Sequence, residues 1–290
     1  MAKDDLAAGA REPSFTAMWH AWLRYTHATD HPSPIYSDTR SVQLVPEHVL
    51  ARVRSAMAVL SQEAANAFIL MTVTRCRVFA DRLLSAHERG VRQLVILGAG
   101  LDVTGFGLPT WASQWRTFEV DTPETQTWKR QQIAAAGWDV PPNLTLSPCD
   151  FERQGLLSAL ADAGFDTRMP AMVSLFGVIL YLSADATKRT LAELATLTPG
   201  SELTFSYCSP ADQADPVVQE LMSKSTPVVD ATGESFVGYY HASEMESLVR
   251  AAGFRDALHH RIEELNARYF AAGPDELRLR PIERLLTAIC

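Results

Sequence analysis

From Gln93 onward, short runs of apolar and β-branched residues alternate with longer stretches whose apolar residues have helical spacing. Five runs are predicted to be strands because Gly, Pro, Asp or Ser residues follow them, and they cover residues 93–97, 116–120, 144–146, 171–176 and 202–207. The intervening helices are predicted at residues 125–136, 156–163 and 184–197. This alternation predicts an α/β fold with a doubly wound, mostly parallel, Rossmann-like sheet.

The segment before the predicted sheet, residues 1–90, has a helical pattern instead. Phe15, Trp19 and Trp22 lie at helical spacing, and residues 49–84 form a second, mostly helical stretch. These residues therefore predict an N-terminal helical cap.

The remaining chain divides into three parts by composition. Residues 91–207 contain the predicted strands and are expected to form the ligand-binding core. Residues 208–240 are rich in Pro, Asp, Ser and Thr, which predicts a loop-like lid inserted after the fifth strand. Residues 241–290 include a predicted helix at 242–252 and are expected to complete the core sheet with an antiparallel edge.

A glycine turn follows the first predicted strand, where Gly98, Ala99 and Gly100 would let the backbone approach a ligand closely. Asp121 lies 21 residues beyond Gly100, at the end of the next strand, and its carboxylate can accept hydrogen bonds from both hydroxyls of a ribose. Dinucleotide sites and S-adenosylmethionine sites share this acid. Val103 replaces the third glycine of the dinucleotide motif, which makes a nicotinamide oxidoreductase the weakest interpretation.

A second acidic position, Asp150, follows the third predicted strand. It could reach the amino group of an adenine, with Phe151 beside the ring. The alternative is that Asp150 is the N-cap of the next helix.

Composition narrows the possible partners. A net charge of −8 gives no field that attracts phosphate backbones or anionic lipid, so we expect a small-molecule partner and neither nucleic acid nor a membrane. The longest apolar run, residues 172–182, is too short to span a bilayer. Lys3, Asp4 and Asp5 do not form the basic start of a signal peptide, and we expect a cytoplasmic location.

The cysteines and histidines predict no metal centre. The four cysteines are widely separated, without a CxxC pair, and are interpreted as free thiols. His20, His27 and His31 are close in sequence but lack a carboxylate or cysteine that would complete a ligand set.

Three motifs are similar to those of the leucine carboxyl methyltransferase family, a branch of the class I S-adenosylmethionine enzymes that includes bacterial polyketide O-methyltransferases. They are LGAGLD at residues 97–102, FEVDTPE at residues 118–124 followed by Lys129, and FGVILYL at residues 176–182. Residues 13–17 with Arg24 and His27, and residues 268–270, resemble an actinobacterial subgroup at both ends. The resemblance covers nearly the whole chain.

The resemblance implies that S-adenosyl-L-methionine is the cofactor and that an oxygen of a small molecule is methylated. It implies cofactor contacts at Gly98 in the turn, at Asp121 on the ribose, and at Asp150 with Phe151 on the adenine. It assigns Arg75 to the methionine carboxylate, with neighbouring Arg77 as the alternative for this role.

At two positions the chain departs from the family pattern, and both departures change the contacts expected with the cofactor. The family usually continues its glycine motif with Thr-Arg, whereas this chain has Val103, Thr104 and Gly105, so an arginine that helps to order the loop is missing. Phe176 stands where related sequences carry a glutamate near the ammonium group of the cofactor.

The class of acceptor determines whether a base is needed. An ionised carboxylate needs none, whereas a phenol or alcohol requires a group that takes its proton. His27 and His241 are the candidate bases by position, and a structural role is the alternative for each. Tyr181 is predicted to line the pocket where cofactor and acceptor meet, or else to belong to the core. The rival hypothesis is a protein that binds the cofactor without methylating, as a cyclase, isomerase or ligand-binding module.

Overall fold

The computed structural model describes residues 14–210, 214–271, 273 and 277–290. The features assigned above to Lys3, Asp4, Asp5 and Pro13 lie outside the described residues, as do residues 211–213 of the predicted lid.

A seven-stranded sheet with the order β3-β2-β1-β4-β5-β7-β6 forms the centre of the molecule. Strands β1 to β5 are parallel, and β7 runs antiparallel between β5 and β6. The predicted α/β fold is therefore confirmed, including the antiparallel edge contributed by the end of the chain. The strands are β1 (Gln93–Leu97), β2 (Arg116–Asp121), β3 (Leu144–Pro148), β4 (Ala171–Leu175), β5 (Glu202–Cys208), β6 (Asp256–His260) and β7 (Glu283–Ile289).

Helices cover both faces of the sheet because successive side chains of a strand point to opposite faces. Val95 and Leu97 of β1 pack into one core cluster, and Leu94 and Ile96 pack into another. The crossover helices begin and end within two residues of their predicted bounds, and Ser183 caps α6 as expected. These helices are α4 (Pro123–Ala135), α5 (Leu156–Asp162) and α6 (Ala184–Ala195).

Between residue 14 and the sheet, the structure has the helices α1 (Phe15–Asp30), α2 (Glu47–Ala58) and α3 (Gln62–Glu88). The hydroxyl of Ser14 accepts from Ala17 N and caps the start of α1. The buried Phe79 and Leu83 of α3 pack in the cluster that contains Leu94 of β1. Helix α3 therefore contacts the sheet as well as α1, so the predicted cap and the core share this helix.

The segment predicted as a loop-like lid contains a helix of 15 residues, which corrects the interpretation of its composition as that of a loop. Helix α7 (Pro216–Asp230) lies in the middle of this segment, with Asp215 as N-cap and Pro216 in the first turn. Asp and Pro favour helix starts at these two positions, so a composition typical of loops here begins a helix. The carboxylate of Glu220 accepts from the backbone N and the hydroxyl of Ser61, which joins α7 to the start of α3.

The last part of the chain contains α8 (Ala242–Ala252) and α9 (Ile262–Tyr269). Helix α8 has the predicted bounds and ends at Gly253, whose φ of 103° is the left-handed conformation typical of a helix C-cap. Helix α9 was not anticipated. Among the described helices, none combines the length and the apolar character that crossing a membrane requires. The four cysteines are free thiols, as predicted.

Candidate functional site

A cavity of about 740 Å³ opens at the carboxyl ends of the parallel strands. The strand order reverses between β1 and β4, so the loops that follow these two strands diverge and leave a crevice, which is the usual ligand position in a doubly wound sheet. Ser14 and residues 15–18 of α1 close the cavity from the outside, together with residues 231–234 after α7. Its volume is typical of a site for a small molecule.

The glycine turn after β1 forms the floor of the cavity. Gly98 has a φ of 62°, and a Cβ atom built there would lie 2.0 Å from Cγ2 of Val178. Gly100 has a φ of 45°, and its Cβ would lie 3.0 Å from Cβ of Ala17 in α1. Ala99 lies between them and donates its N–H to Val120 O at 3.1 Å. The turn is therefore closed to side chains, and its backbone faces the ligand space.

Asp121 at the end of β2 lines the cavity and is held in one orientation. Gly100 N donates to its Oδ2 at 2.7 Å, and Thr122 N donates to its Oδ1 at 2.7 Å. Burial nevertheless raises the pKa of Asp121 above its ordinary value. Because each oxygen keeps a further lone pair, the carboxylate can still accept from two neighbouring hydroxyls.

Asp150 and Phe151 line the cavity beyond β3. Asp150 Oδ1 accepts from Glu152 N at 2.9 Å in a local turn, whereas Gly155 is the N-cap of the following helix. The alternative interpretation of Asp150 as a helix cap is therefore wrong.

Arg75 lines the cavity from α3, and Arg77 instead donates to Asp81 on the same helix. Arg75 is 5% exposed, and its Nη1 donates to both carboxylate oxygens of Glu283 at 3.0 Å. Its guanidinium carbon lies 5.9 Å from the ring centroid of Phe176. Sequence reasoning missed Glu283, since 208 residues separate it from its partner.

Phe176 lies in the cavity wall directly after β4. Its ring packs edge-on against Phe79 of α3, with the centroids 5.8 Å apart. An aromatic ring therefore occupies, beside Arg75, the position where the family pattern has a carboxylate.

Three cations, from α1, from the segment after it and from α4, hold the loop after the glycine turn. Arg24 of α1 donates to Leu101 O at 3.1 Å, and Arg40 donates to Phe106 O at 3.0 Å. Lys129 of α4 donates to Asp102 O and pairs with Glu119 of β2. These contacts support the loop in place of the arginine that the family motif would supply.

Tyr181 connects three parts of the cavity wall. The Tyr181 hydroxyl lies 2.7 Å from Oγ1 of Thr16 in α1. The Thr16 hydroxyl in turn donates to Oε2 of Glu234 at 3.2 Å. Since the Thr16 proton is used on Glu234, Tyr181 donates to Thr16. Burial raises the pKa of Tyr181 well above its ordinary value, so the phenol stays protonated and does not act as a base.

The two histidines predicted as bases lie outside the cavity lining, which corrects that prediction. Nε2 of the buried His27 accepts from Ile35 N at 3.0 Å, and burial lowers its pKa to about 4. His241 caps the start of α8 in a capping box with Glu244.

The histidine that does line the cavity is His20. It lies four residues after Thr16 and four before Arg24, and all three line the cavity. This i, i+4 spacing is the sequence signal that could have identified it, since such residues share one face of a helix.

The comparisons with known proteins agree with this geometry. The family described as leucine carboxyl methyltransferase matches residues 17–195, more than half of the chain. A protein of Parafrankia sp. (strain EAN1pec), provisionally named an S-adenosyl-L-methionine-dependent methyltransferase, is 34% identical over 199 residues, which are 65% of this chain and 61% of that protein. A protein of Mycobacterium tuberculosis (strain H37Rv) with the same provisional name is 36% identical over 156 residues, 53% of this chain and 50% of that protein. The chain thus spans about half to three fifths of the length of these curated relatives.

Two solved structures share the fold. A crystal structure from Thermobifida fusca YX, provisionally named a methyltransferase, has a TM-score of 0.56 at 19% identity and covers 92% of this chain and 93% of that chain. A DUF574 family protein from Streptomyces avermitilis MA-4680 has a TM-score of 0.56 at 15% identity and covers 94% of this chain and 96% of that chain.

The described residues fit the cofactor named for the curated relatives, S-adenosyl-L-methionine. The floor at Gly98 leaves no room for a Cβ atom, which suits a ligand lying against the backbone. Asp121 presents an oriented carboxylate, a group that can accept from ribose hydroxyls. The extent of the family match and the motifs around the cavity lead to one conclusion: the chain belongs to the leucine carboxyl methyltransferase family.

Proposed function

We propose that this chain is an S-adenosylmethionine-dependent O-methyltransferase that acts in the cytoplasm on a hydroxyl or carboxylate of a small molecule, such as a bacterial polyketide or another secondary metabolite. The observation that carries the proposal is a continuous cavity of about 740 Å³, which joins the glycine turn and Asp121 to a second region walled by α1 and residues 231–234. A cavity of this size favours a small acceptor over the surface of a folded protein.

The residues around the cavity have separate tasks in this proposal. The cofactor supplies a methyl group already activated by a sulfonium centre. The turn at Gly98 and the Asp121 carboxylate bind the nucleoside part, Asp150 and Phe151 bind the adenine, and Arg75 orients the methionine carboxylate. Helix α1 and residues 231–234 exclude water from the reacting groups. Holding both reactants in line can contribute roughly 7–11 kcal/mol of the barrier reduction.

The organisation of the chain supports these tasks. We propose residues 1–90 as the cap, 91–207 as the cofactor-binding core, 208–240 as the cover over the acceptor and 241–290 as the completion of the sheet. The contact of Thr16 in α1 with Glu234 joins the cap to the cover at the mouth of the cavity.

Calorimetry with S-adenosylmethionine and S-adenosylhomocysteine, followed by transfer of a labelled methyl group to a panel of phenols and carboxylic acids, tests the proposal. We expect binding of both nucleosides and label in at least one acceptor. The Asp121→Ala variant is the control, because its transfer of the labelled methyl group should fall together with its affinity for S-adenosylmethionine. Binding without transfer to any acceptor would favour the rival hypothesis of a non-methylating cyclase, isomerase or ligand-binding protein.

A further inference from the structure

His20 is the histidine of the cavity wall, and its ring is held from two sides. The imidazole lies edge-on to Phe68 of α3 with the centroids 5.3 Å apart. Its Nδ1 lies 3.0 Å from Oγ1 of Thr72, one turn further along α3. Neither the mechanism above nor the family motifs assign a role to this ring.

The hydrogen-bond chain through Thr72 determines which ring nitrogen carries the proton. Oγ1 of Thr72 donates its only proton to Phe68 O at 2.9 Å. It must therefore accept from His20, so the proton of a neutral ring is on Nδ1 and Nε2 keeps its lone pair. Within the described part of the chain, no group forms a hydrogen bond to Nε2.

The surroundings of His20 keep the ring neutral. Burial lowers its pKa well below the ordinary value, and the charges of Arg75 and Arg24 act in the same direction. The ring therefore presents a hydrogen-bond acceptor, and not a cation, to whatever occupies this part of the cavity. It can receive a hydrogen bond from an O–H group, whereas an ionised carboxylate offers only lone pairs and would be left unmatched.

We propose that Nε2 of His20 takes the proton of the acceptor, and hence that this chain methylates a hydroxyl group and not a carboxylate. The inference rests on the proposed function. In the step, the acceptor oxygen forms a bond to the methyl carbon, the bond from that carbon to sulfur breaks, and its electron pair stays on sulfur as a thioether. The O–H proton passes to Nε2 and from there to solvent. A weak base is sufficient because the oxygen becomes strongly acidic as its bond to carbon forms.

The first test concerns the ring itself and needs no knowledge of the natural acceptor. Nitrogen NMR of histidine-labelled protein loaded with S-adenosylhomocysteine should show His20 with a protonated Nδ1 and an unprotonated Nε2 near neutral pH. Thr72→Val should disturb this tautomer and Thr72→Ser should keep it. Phenol should bind the loaded protein about tenfold or more tightly than benzoate, and His20→Phe should abolish the preference. An imidazolium, a protonated Nε2 or a preference for benzoate would overturn the proposal.

The second test separates the acceptor from the cofactor. His20→Gln should reduce methyl transfer by about 10²-fold or more while the affinity for S-adenosylhomocysteine stays within about twofold, and His31→Gln outside the cavity is the matched control. An equal fall in both quantities would show that the ring serves the cofactor and would refute the proposal. If wild-type protein methylates no acceptor, the proposed function fails, whereas the tautomer and the preference for phenol still decide the state of His20.

Discussion

At the scale of single residues, Asp121 both shapes the glycine turn and lines the cavity. It accepts from Gly100 N and Thr122 N, and it lies at the cavity wall. An amide at this position would turn an NH₂ group toward one of the two backbone donors, so an isosteric substitution disturbs the site without removing volume.

Asp121→Asn should therefore weaken S-adenosylhomocysteine binding by about 1.5–3 kcal/mol, the cost of an unmatched charged hydrogen-bonding group. Calorimetry measures this loss, and Asp139→Asn, at an exposed position, is the matched control. Unchanged affinity in folded Asp121→Asn protein would contradict the assignment of this carboxylate to the ribose.

Phe176 is a position where the resemblance to the family implies a glutamate and this chain has an aromatic ring. Phe176→Glu places a carboxylate beside Arg75 and near the expected ammonium group of the cofactor, so S-adenosylmethionine should bind more tightly than to wild type. Phe176→Gln introduces a side chain of the same shape as glutamate but without its charge, so it should not increase the affinity for the cofactor. Equal affinities for wild type and Phe176→Glu would indicate that another group already receives the ammonium. A lower rate of methyl transfer with tighter binding would indicate that the ring also packs on the acceptor.

At the scale of elements, a buried ion pair connects α4 to β2 beneath the glycine turn. Lys129 and Glu119 are both fully buried, and Lys129 also donates to Asp102 O in the loop after the turn. The pair therefore links the crossover helix to the loop that shapes the cavity.

Lys129→Met should lower the free energy of unfolding by about 3–5 kcal/mol, because it leaves the Glu119 carboxylate buried without its partner. The double variant with Glu119→Gln should recover much of this loss, since no unpaired charge remains. Urea unfolding of the two variants and of Glu119→Gln alone completes the cycle. Equal destabilisation in the single and double Lys129 variants would show that the loop contact, and not the unpaired charge, determines the cost.

The proposed cover is a second feature at this scale. Its residues 231–236 contact both α1 and the loop after β4. Thr16 joins Tyr181 to Glu234, and the ring of Phe236 lies 5.4 Å from that of Tyr181. Hydrogen bonds and a ring contact therefore hold this segment over the cavity.

Thr16→Val removes the hydroxyl that joins these groups, so we expect faster amide hydrogen exchange in residues 231–236, with Thr16→Ser close to wild type. Cofactor plus acceptor should slow the exchange in wild-type protein and should slow it less in Thr16→Val. If neither cofactor nor acceptor changes the amide hydrogen exchange of residues 231–236, this segment is a connector and does not act as a cover.

At the scale of the whole molecule, buried histidines make stability depend on pH. Burial is the main cause that lowers the pKa of both His27 and His260 to about 4. Because their folded pKa values lie below the unfolded value of about 6.5, protons bind more tightly to the unfolded chain. Their contribution to stability is present above about pH 6.5 and is lost as the pH falls toward 4.

Unfolding free energies measured across this range should therefore decrease as the pH falls from about 6.5 to about 4. His27→Gln should flatten part of the slope, because Gln cannot acquire a charge there. Glu119 acts with the opposite sign, since burial raises its pKa to about 7, so the difference between wild type and His27→Gln isolates the histidine term. A difference that does not change with pH would contradict the assignment.

The sequence by itself determined the α/β alternation, the bounds of the five parallel strands and of the crossover helices to within two residues, and several residues that line the cavity at the strand ends. These features depend on local periodicity and on residues that are close in sequence, such as the turn at Gly98 and the carboxylate of Asp121 at the end of the next strand. Family resemblance added Arg75 and identified Phe176 as a departure. These residues can be identified from the sequence because each lies at the end of a strand or in a motif.

Only the tertiary structure decided which histidine faces the cavity, what holds Arg75, and that α7 is a helix. His20 and His27 lie on the same helix, and packing against α3 and Ile35 determines their different surroundings. Glu283 reaches Arg75 because β7 inserts beside β5 at the end of the chain. Such pairings depend on how distant segments pack, and the free energy that selects them comes from burial and hydrogen bonds formed only in the folded chain.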